Sequence, residues 1–488
     1  MKERVCIFAV SVYFVSLCLY LAVHNMMWAD EFLAWNLISD PSFTHMLQSW
    51  YKGADSGGLL FYLLARPLAV AIRSPAAIRC STALCFAVSG VFSFFTLRRR
   101  FGVAASALGI CALWLGSPLV LSLSVEVRFY GLLMLAFCGV IYVTDRLMQG
   151  GSSAWSMVIV ALVLHAVLLS SHMLGFIYSA EIVFALLLAY RSRATLAYAS
   201  GALLSWLLLL FFLPAVRAGS EKLNWIKAPR LIDYVRFFLH EPFGVHAVNL
   251  LLYILLALAL FYYFRDVLRL RGALDFVGVL ATLLLLTPSL FAITSHVYKP
   301  IVADRYLVPW TFGLAFFPAS LLAKLLSRVS VGPKTLVLSS GVVLVLLLHA
   351  NAVRLFWKRP PHSLEAIKRF PSTLPIAISD DDVFEQLEYY DSAHSDRYVL
   401  LMPHHFRDDA KRSILATLAV QGYGGNMQDV DAFTAKHPRF LYARFSHDHG
   451  GYGALIASNS RLRVIRVSTL MFGSEAVPVL EVEVQSGR

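Results

Sequence analysis

Runs of roughly twenty mostly apolar residues recur along the first 355 residues, and this repetition constrains the fold more than any other feature of the sequence. A helix needs about 20 residues to cross the hydrocarbon core of a bilayer, so each run predicts a transmembrane helix. Hydrophobic residues make up 58% of the 488 residues and charged residues 15%, which is more apolar surface than a soluble chain can bury. The eleven predicted spans lie at about 5–23, 76–97, 103–123, 127–144, 153–171, 173–190, 194–214, 246–264, 273–294, 305–326 and 335–353.

Basic residues between the runs predict the orientation of the spans. If every span is real, these residues share one side of the membrane, which the positive-inside rule makes the cytoplasmic side. They are Lys2 with Arg4, Arg98 to Arg100, Arg146, Arg191 with Arg193, Arg265 with Arg269 and Arg271, and Lys324 with Arg328 and Lys334. The first run is longer than a signal-peptide core of about 7–15 residues and predicts a retained helix. We therefore expect a multi-pass protein of the cell inner (cytoplasmic) membrane with a cytoplasmic N-terminus. The outer side then receives the loops 24–75, 124–126, 215–245 and 295–304 and the chain after about residue 351.

The formal net charge of +12 is spread over short runs between apolar stretches, whereas a nucleic-acid-binding protein gathers its basic residues on one polar face. The charge therefore predicts membrane lipid and lipid phosphate as partners, and no nucleic acid. All six cysteines lie in apolar segments of the first third, so neither a disulfide framework nor a cysteine metal site is expected.

The chain turns polar near residue 359, and its pattern changes to short β-type runs separated by helical stretches. Strands are expected at 375–379, 397–402, 439–444, 462–469 and 477–484, with helices at about 381–390 and 407–420. The predicted fold is a polytopic α-helical membrane protein of about eleven transmembrane helices with a small C-terminal α/β soluble domain. The predicted domains are 1–355, which includes the long first outer loop 24–75, and 356–488.

Asp30 and Glu31 are adjacent carboxylates a few residues past the outer end of the first span. A carboxylate that is desolvated there has a raised pKa, which suits a general base acting on a sugar hydroxyl. A helix cap or an interfacial anchor explains the same pair. Hard oxygen ligands also suit a divalent cation, so these two residues are the ligands expected for any such ion.

Two further segments place ionisable residues at the outer membrane boundary. In the first, Glu126 and Arg128 interrupt apolar sequence, which predicts either an ion pair between helices or contacts with substrate. The second contains Lys299, Arg305 and Tyr306, whose donors match the oxygens of a phosphate. Snorkelling at a helix end is the alternative explanation for Arg305.

His172 lies at the outer junction of the fifth and sixth predicted spans. It is a candidate substrate contact, although a single histidine at a helix turn also serves purely structural roles.

These features, in this order and with a long first outer loop, resemble the GT-C superfamily of membrane glycosyltransferases. The nearest group is that of protein O-mannosyltransferases and aminoarabinose transferases, which includes lipopolysaccharide-core glycosyltransferases. The resemblance covers about residues 1–355 and depends on Asp30-Glu31, the segment 126–130, His172 and the segment 305–307. Many relatives carry a Pro-Pro-Leu-Tyr type of stretch after the first loop. This chain keeps the leucine and tyrosine at 55–62 but lacks the prolines, and Asp55 is a candidate substrate contact there.

The resemblance implies transfer of one sugar from a polyprenyl-phosphate donor to a glycan, lipid or protein acceptor on the outer face. It implies Asp30 as the catalytic carboxylate with Glu31 as its partner. It also implies Lys299, Arg305, Tyr306 and Arg128 near the donor phosphate. No cofactor is expected beyond a candidate divalent metal ion, and single displacement would invert the anomeric centre. A membrane transporter or lipid flippase is the main alternative, and a non-catalytic binding protein is a third.

Overall fold

The computed structural model describes residues 2–55, 57–150, 153–220, 230–240, 242–270, 275–297, 303–357, 364–368, 373–378, 380–402, 414–423, 425–445, 461–472 and 475–485. The helices in these ranges are α1 (Lys2–His24), α2 (Ala29–Ile38), α3 (Phe43–Tyr51), α4 (Leu59–Ile72), α5 (Pro75–Gly116), α6 (Pro118–Ser124), α7 (Tyr130–Gly150), α8 (Ala154–Ser171), α9 (Gly175–Ala189), α10 (Arg193–Ser205), α11 (Leu208–Ser220), α12 (Leu231–His240), α13 (His246–Leu270), α14 (Phe276–Val297), α15 (Trp310–Arg328), α16 (Val331–Trp357), α17 (Glu365–Lys368), α18 (Asp381–Tyr390), α19 (Ile414–Val420) and α20 (Val430–Lys436). The strands are β1 (Ile376–Ile378), β2 (Tyr398–Met402), β3 (Met427–Asp429), β4 (Arg439–Ala443), β5 (Leu462–Phe472) and β6 (Glu475–Val484). Two short 3-10 turns cover Asp304–Leu307 and Ser392–Arg397.

Among the described residues, eight helices are long and apolar enough to cross a membrane, or nine if the bent pair α10–α11 is one span. Every predicted span overlaps at least one helix of the structure. The counts differ because the span 76–97 and most of the span 103–123 lie in the single 42-residue helix α5, and because α9, at 15 residues, is a shorter apolar helix. Large apolar side chains such as Phe8 and Trp155 are exposed on these helices, as the lipid-facing surface of a membrane protein requires.

Helix α5 is interrupted at Gly102, two residues after the basic run 98–100 that predicted a loop between two spans. The φ angle of Gly102 is 76° and its ψ is 177°, a conformation that costs glycine little and other residues much. Arg100, beside this break, pairs with Asp145 of α7 at 2.7 Å and with Asp275 before α14 at 2.7 Å. The break is therefore tied to two other helices by charge-assisted hydrogen bonds.

The contacts of the chain group it into two compact units. Unit 1 comprises 1–23, 57–213 and 224–358, and unit 2 comprises 24–56, 214–223 and 359–488. Within unit 1, α5 packs against α7, α15 and α16, and α8 packs against α10. Most of the predicted first outer loop thus belongs to the same unit as the C-terminal chain, while the domain boundary at 355/356 stays a prediction.

Unit 2 contains a six-stranded sheet in the order β3-β2-β1-β4-β6-β5. The first four strands in this order are parallel, and β6 and β5 continue the sheet in antiparallel pairing. Alternate residues of β1 and β4 enter two separate apolar clusters, with Ile376 and Leu441 on one face and Ala377 and Tyr442 on the other. This burial of both faces explains the nearly continuous apolar runs of the central strands.

The predicted α/β fold of the tail is confirmed, with five of the six strands and α18 close to their expected bounds. The described part of the predicted helix at 407–420 is α19, and residues 407–413 lie outside the described residues. Strand β3 was not predicted from the sequence, because its three residues are only partly buried and lack an apolar pattern.

Candidate active site

One candidate cluster is the acidic segment of unit 2, which carries Asp30 and Glu31. Asp30 and Glu31 occupy the first turn of α2, where the helix dipole stabilises negative charge. The extended residue Trp28 precedes this turn and supplies no side-chain cap, although its carbonyl accepts from the backbone N–H of Glu31 at 2.8 Å. Glu31 is 1% exposed, whereas Asp30 is half-buried. The two carboxylates therefore differ in access, and Asp30 is the one better placed to meet a substrate.

Helix α2 packs against α18 of the same unit. Glu385 of α18 is 6% exposed and shares a side-chain hydrogen bond with Asn36 of α2. Burial, assisted by the negative charges of Glu388, Asp381 and Asp382, raises the pKa of Glu385 to about 8. The carboxyl between these helices is therefore protonated at neutral pH.

We expect Glu385→Gln to raise the Tm at pH 9 by at least about 2 °C and to leave it near that of the wild type at pH 5. In the folded protein Glu385 keeps its proton up to about pH 8, whereas in the unfolded chain it loses the proton near 4.5, the ordinary pKa of a glutamate. The wild type therefore loses stability as the pH rises between these two values, and glutamine cannot ionise. Thermal unfolding at pH 5, 7 and 9 measures the effect, with Asp431→Asn as an exposed control. Parallel pH profiles for Glu385→Gln and the wild type would contradict the expectation.

Asp55 is buried in unit 2. Asp40, which sequence analysis did not single out, is buried in the same unit and accepts from the backbone N–H of Ser42 at 2.7 Å and from the phenol of Tyr423. Burial opposes its ionisation, but the bonds from Tyr423, Ser42 and His45 lower the pKa of Asp40 overall. Asp40 is thus an ionised anchor within the fold, a role that cannot be inferred without its partner at 423.

A separate candidate cluster lies in unit 1, where it is cationic and formed by residues from three distant parts of the sequence. Glu126 and Arg128 lie in the buried turn between α6 and α7, where Arg128 is 3% exposed. His172 ends α8 and is fully buried. Arg305 and Tyr306 form the 3-10 turn before α15.

Aromatic rings bring these segments together. The His172 ring stacks on Phe129 with a centroid distance of 4.1 Å and lies 5.7 Å from the ring of Tyr306. The guanidinium of Arg128 is 4.9 Å from the Phe129 centroid, and that of Arg305 is 5.9 Å from the Tyr306 centroid. The three segments therefore converge on one buried, positively charged position.

His172 is neutral in this cluster. The backbone N–H of Leu174 donates to its Nδ1 at 3.1 Å, so the ring proton is on Nε2. Burial, together with the positive charges of Arg128 and Arg305, lowers the pKa of His172 to about 3. Its Nε2 has no hydrogen-bond partner among the described residues. The cluster thus offers a neutral N–H donor beside two guanidinium groups, an arrangement that suits the oxygens of an anion.

Three further features, absent from the sequence predictions, support this cluster. The hydroxyl of Tyr178 donates to the backbone carbonyl of Tyr306. Gly57 pairs with His172 in an isolated antiparallel bridge, and a Cβ at Gly57 would lie 2.9 Å from the Phe129 ring. A Cβ at Gly58 would overlap the backbone of Ser171, so both glycines are needed for this close approach.

Lys299 lies outside the described residues, and so do all of residues 221–229. Within the described ranges no group of three or more His, Cys, Asp or Glu side chains is arranged to hold a metal ion. A divalent ion at Asp30 and Glu31 stays a prediction.

Comparison with known proteins identifies the fold. No family model and no curated protein sequence matches the chain. The solved structure of ArnT from Cupriavidus metallidurans in the apo state matches it with a TM-score of 0.61 at 13% identity, covering 98% of this chain and 97% of that chain. The structure of the same ArnT bound to undecaprenyl phosphate gives a TM-score of 0.55 at 13% identity with the same coverage. ArnT is an aminoarabinose transferase and a GT-C glycosyltransferase. The chain therefore has the fold of these ArnT structures, and the fold implied by the resemblance predicted from the sequence is confirmed.

Proposed function

We propose that this protein is an integral membrane glycosyltransferase that transfers a monosaccharide from a polyprenyl-phosphate donor to a glycan, lipid or protein acceptor. The observation that carries the proposal is the convergence of Arg128, His172 and Arg305 on one buried position in a chain with the GT-C fold. The complex of ArnT with undecaprenyl phosphate supports a lipid phosphate as the anion.

The proposed reaction is a single displacement. The acceptor hydroxyl oxygen attacks the anomeric carbon as the bond from that carbon to the phosphate oxygen breaks, and the configuration inverts. The bonding electrons leave with the polyprenyl phosphate, a stable anion that needs no strong general acid. The acceptor proton passes to the carboxylate of Asp30.

Each of the two candidate clusters has one task in the proposed reaction. The guanidinium groups of Arg128 and Arg305 hold the phosphate as its negative charge grows, and the Nε2–H of His172 donates to one of its oxygens. Lys299 and Tyr306 are proposed to bind the same phosphate, and Glu126 and Asp55 to contact substrate. Glu31, being buried, orients the acceptor or its neighbour Asp30.

A lipid flippase or transporter is the competing function, and one described residue favours it. Glu181 lies within α9, and Thr287 of α14 donates to its Oε1 at 2.6 Å. Carboxylates within spans are common in ion and substrate pathways. A flippase would move the glycolipid intact, whereas a transferase releases the lipid phosphate.

The deciding experiment uses purified full-length protein in liposomes with a panel of radiolabelled polyprenyl-phosphate sugars and an extract of cell-envelope acceptors. Enzymatic transfer releases polyprenyl phosphate and labels an acceptor. Movement of intact donor between leaflets, without release from any member of the panel, would identify a flippase and overturn the proposal. Repeating the assay with EDTA, and then with added Mg²⁺ or Mn²⁺, tests the divalent ion.

We also propose that the site opens on the outer face of the inner membrane, with a cytoplasmic N-terminus and an outer C-terminal region. The regular alternation of basic loops supports this orientation. Compartment-sensitive reporters fused at Gly150 and at the C-terminus are expected to give opposite localisations. Two cytoplasmic reporters would contradict both the orientation and the outer-face site.

A further inference from the structure

Residues 24–56 and the C-terminal chain fold as one compact unit, although more than 300 residues separate them in sequence. The acidic helix α2 lies against α18 within this unit. The side chain of Met26 also packs on the apolar cluster around the sheet. The segment that carries Asp30 and Glu31 is therefore supported by the C-terminal region.

Two side chains of α18 bind the backbone just before α2. The hydroxyl of Tyr390 accepts from the backbone N–H of Met27 at 3.1 Å, and Nε2 of Gln386 donates to the carbonyl of Met27 at 3.1 Å. Gln386 and Tyr390 are four residues apart and so share one face of α18. Met27 is thus held at both its donor and its acceptor, three residues before Asp30.

Aromatic contacts hold the chain on the other side of the carboxylates. The ring of Tyr389 lies 5.8 Å from Phe32 and 6.4 Å from Trp35, both of which are buried residues of α2. Phe32 directly follows Glu31 in the chain. The acidic pair is therefore bracketed by contacts from one short helix.

The chain that follows α2, up to Lys52, is also held by hydrogen bonds with the C-terminal chain. Tyr423 donates to Asp40 after α2, and Nζ of Lys52 donates to Gln421 at 3.3 Å after α3. Gln421 and Tyr423 both follow α19 of the C-terminal chain. The chain before Asp30, at Met27, and the chain after α2, at Asp40 and Lys52, are therefore both held by the C-terminal chain.

Helix α2 needs such support because it is weak by itself. It has 10 residues and no side-chain cap at Trp28, and helices shorter than about 12–15 residues are marginal in water. The turn that would fray first is the one that holds Asp30 and Glu31.

We propose that α18 is a positioning element for the acidic turn, with Gln386 and Tyr390 as positioning residues that act on catalysis through Met27. This inference rests on the proposed function, in which Asp30 is the base. It gives the C-terminal region a part in turnover that requires no contact with substrate.

The test is the double variant Gln386→Met and Tyr390→Phe in the full chain, which removes both hydrogen bonds and preserves side-chain size. We expect kcat to fall roughly 10- to 100-fold, because small displacements of a catalytic group cost about that much. The KM for the lipid donor should stay within about twofold, since the phosphate is bound by other residues. Amide hydrogen exchange in the peptide 27–36 should become faster.

Tyr398→Phe is the matched control. It removes the hydroxyl that donates to Asp391 at 2.6 Å in the same unit and keeps both hydrogen bonds to Met27. We expect normal kcat and normal exchange in peptide 27–36 for this variant. Equal losses in the control and in the double variant would mean a general effect on folding and would overturn the inference.

Asp30→Asn, assayed in parallel, separates the two proposals. If Asp30→Asn is inactive and the double variant has normal kcat, the positioning inference fails and the proposed function stands. If Asp30→Asn is active, the proposed role of Asp30 fails and the positioning inference fails with it.

Discussion

Asp30→Asn is expected to lower the rate of sugar transfer by about 10²- to 10⁴-fold, the range typical for loss of a positioned general base. The change keeps the size of the side chain and removes its ability to accept a proton. Asp30 is half-buried in the first turn of α2, so asparagine fits the same position. The measurement is the initial rate of polyprenyl phosphate release by reconstituted protein at saturating donor.

Two controls make this result interpretable. Asp431→Asn makes the same substitution at an exposed aspartate in the first turn of α20, also in unit 2, and should leave turnover unchanged. The Tm and the reconstituted amount of Asp30→Asn must match those of the wild type, because a destabilised membrane protein also loses activity. A well-folded Asp30→Asn protein with near-normal turnover would remove Asp30 from the catalytic centre.

Glu31→Gln distinguishes the two carboxylates. Glu31 is 1% exposed and cannot meet the acceptor as readily as Asp30. If Glu31 orients its neighbour, Glu31→Gln is expected to lower the rate of sugar transfer less than Asp30→Asn does. An equal fall in the rate would mean that the two carboxylates act together.

The sequence predicted the membrane fold because a transmembrane helix is a local pattern. Each span needs only its own apolar residues, and breaks such as the one at Gly102 are marked by adjacent charges. The strands of the tail were predicted for the same reason, since β1 and β2 are short apolar runs bounded by polar residues.

The packing of residues 24–56 with the C-terminal chain could not be predicted in this way. Met27 and Tyr390 are 363 residues apart, and their hydrogen bond uses a backbone N–H that every non-proline residue carries. Nothing in the sequence marks such a contact. The domain boundary at 355/356, which was placed by the change in composition, stays a prediction.

The candidate site shows the same limit. Sequence analysis selected Arg128, His172 and Arg305 separately, each for an ionisable side chain at a membrane boundary. Their convergence depends on the ring of Phe129 and on the glycines at 57 and 58, which carry no charge and gave no signal as single residues. A glycine permits a close approach only because it lacks a Cβ. The role of these two glycines could therefore be recognised only once the structure showed which residues lie against them.

Arg305→Ala is expected to raise the KM for the lipid donor roughly 10- to 100-fold, and Arg305→Lys to raise it less. A hydrogen bond to a charged group contributes about 1.5–3 kcal/mol, and about 1.4 kcal/mol corresponds to a tenfold change in binding. Alanine removes both the charge and the planar fork of donors, whereas lysine keeps the charge and loses the two-point geometry. The order wild type, Lys, Ala in donor affinity is the specific expectation. The measurement is a titration of polyprenyl-phosphate sugar in the release assay, supported by direct binding of polyprenyl phosphate to the purified protein.

Arg230→Ala is the matched control for this series. Arg230 also belongs to unit 1, but its side chain is 74% exposed and pairs with Asp233 at 2.9 Å, so it should contribute little to the binding of a lipid phosphate. A raised KM in Arg305→Ala but not in Arg230→Ala would mean that a particular guanidinium, and not the basic character of the surface, holds the donor.

If Arg305→Ala uses the donor as well as the wild type does, Arg305 is only an interfacial anchor. The phosphate would then be bound by Arg128, by the Nε2–H of His172 and by Lys299. Among variants of these residues, Arg128→Ala would be expected to bind the lipid donor most weakly.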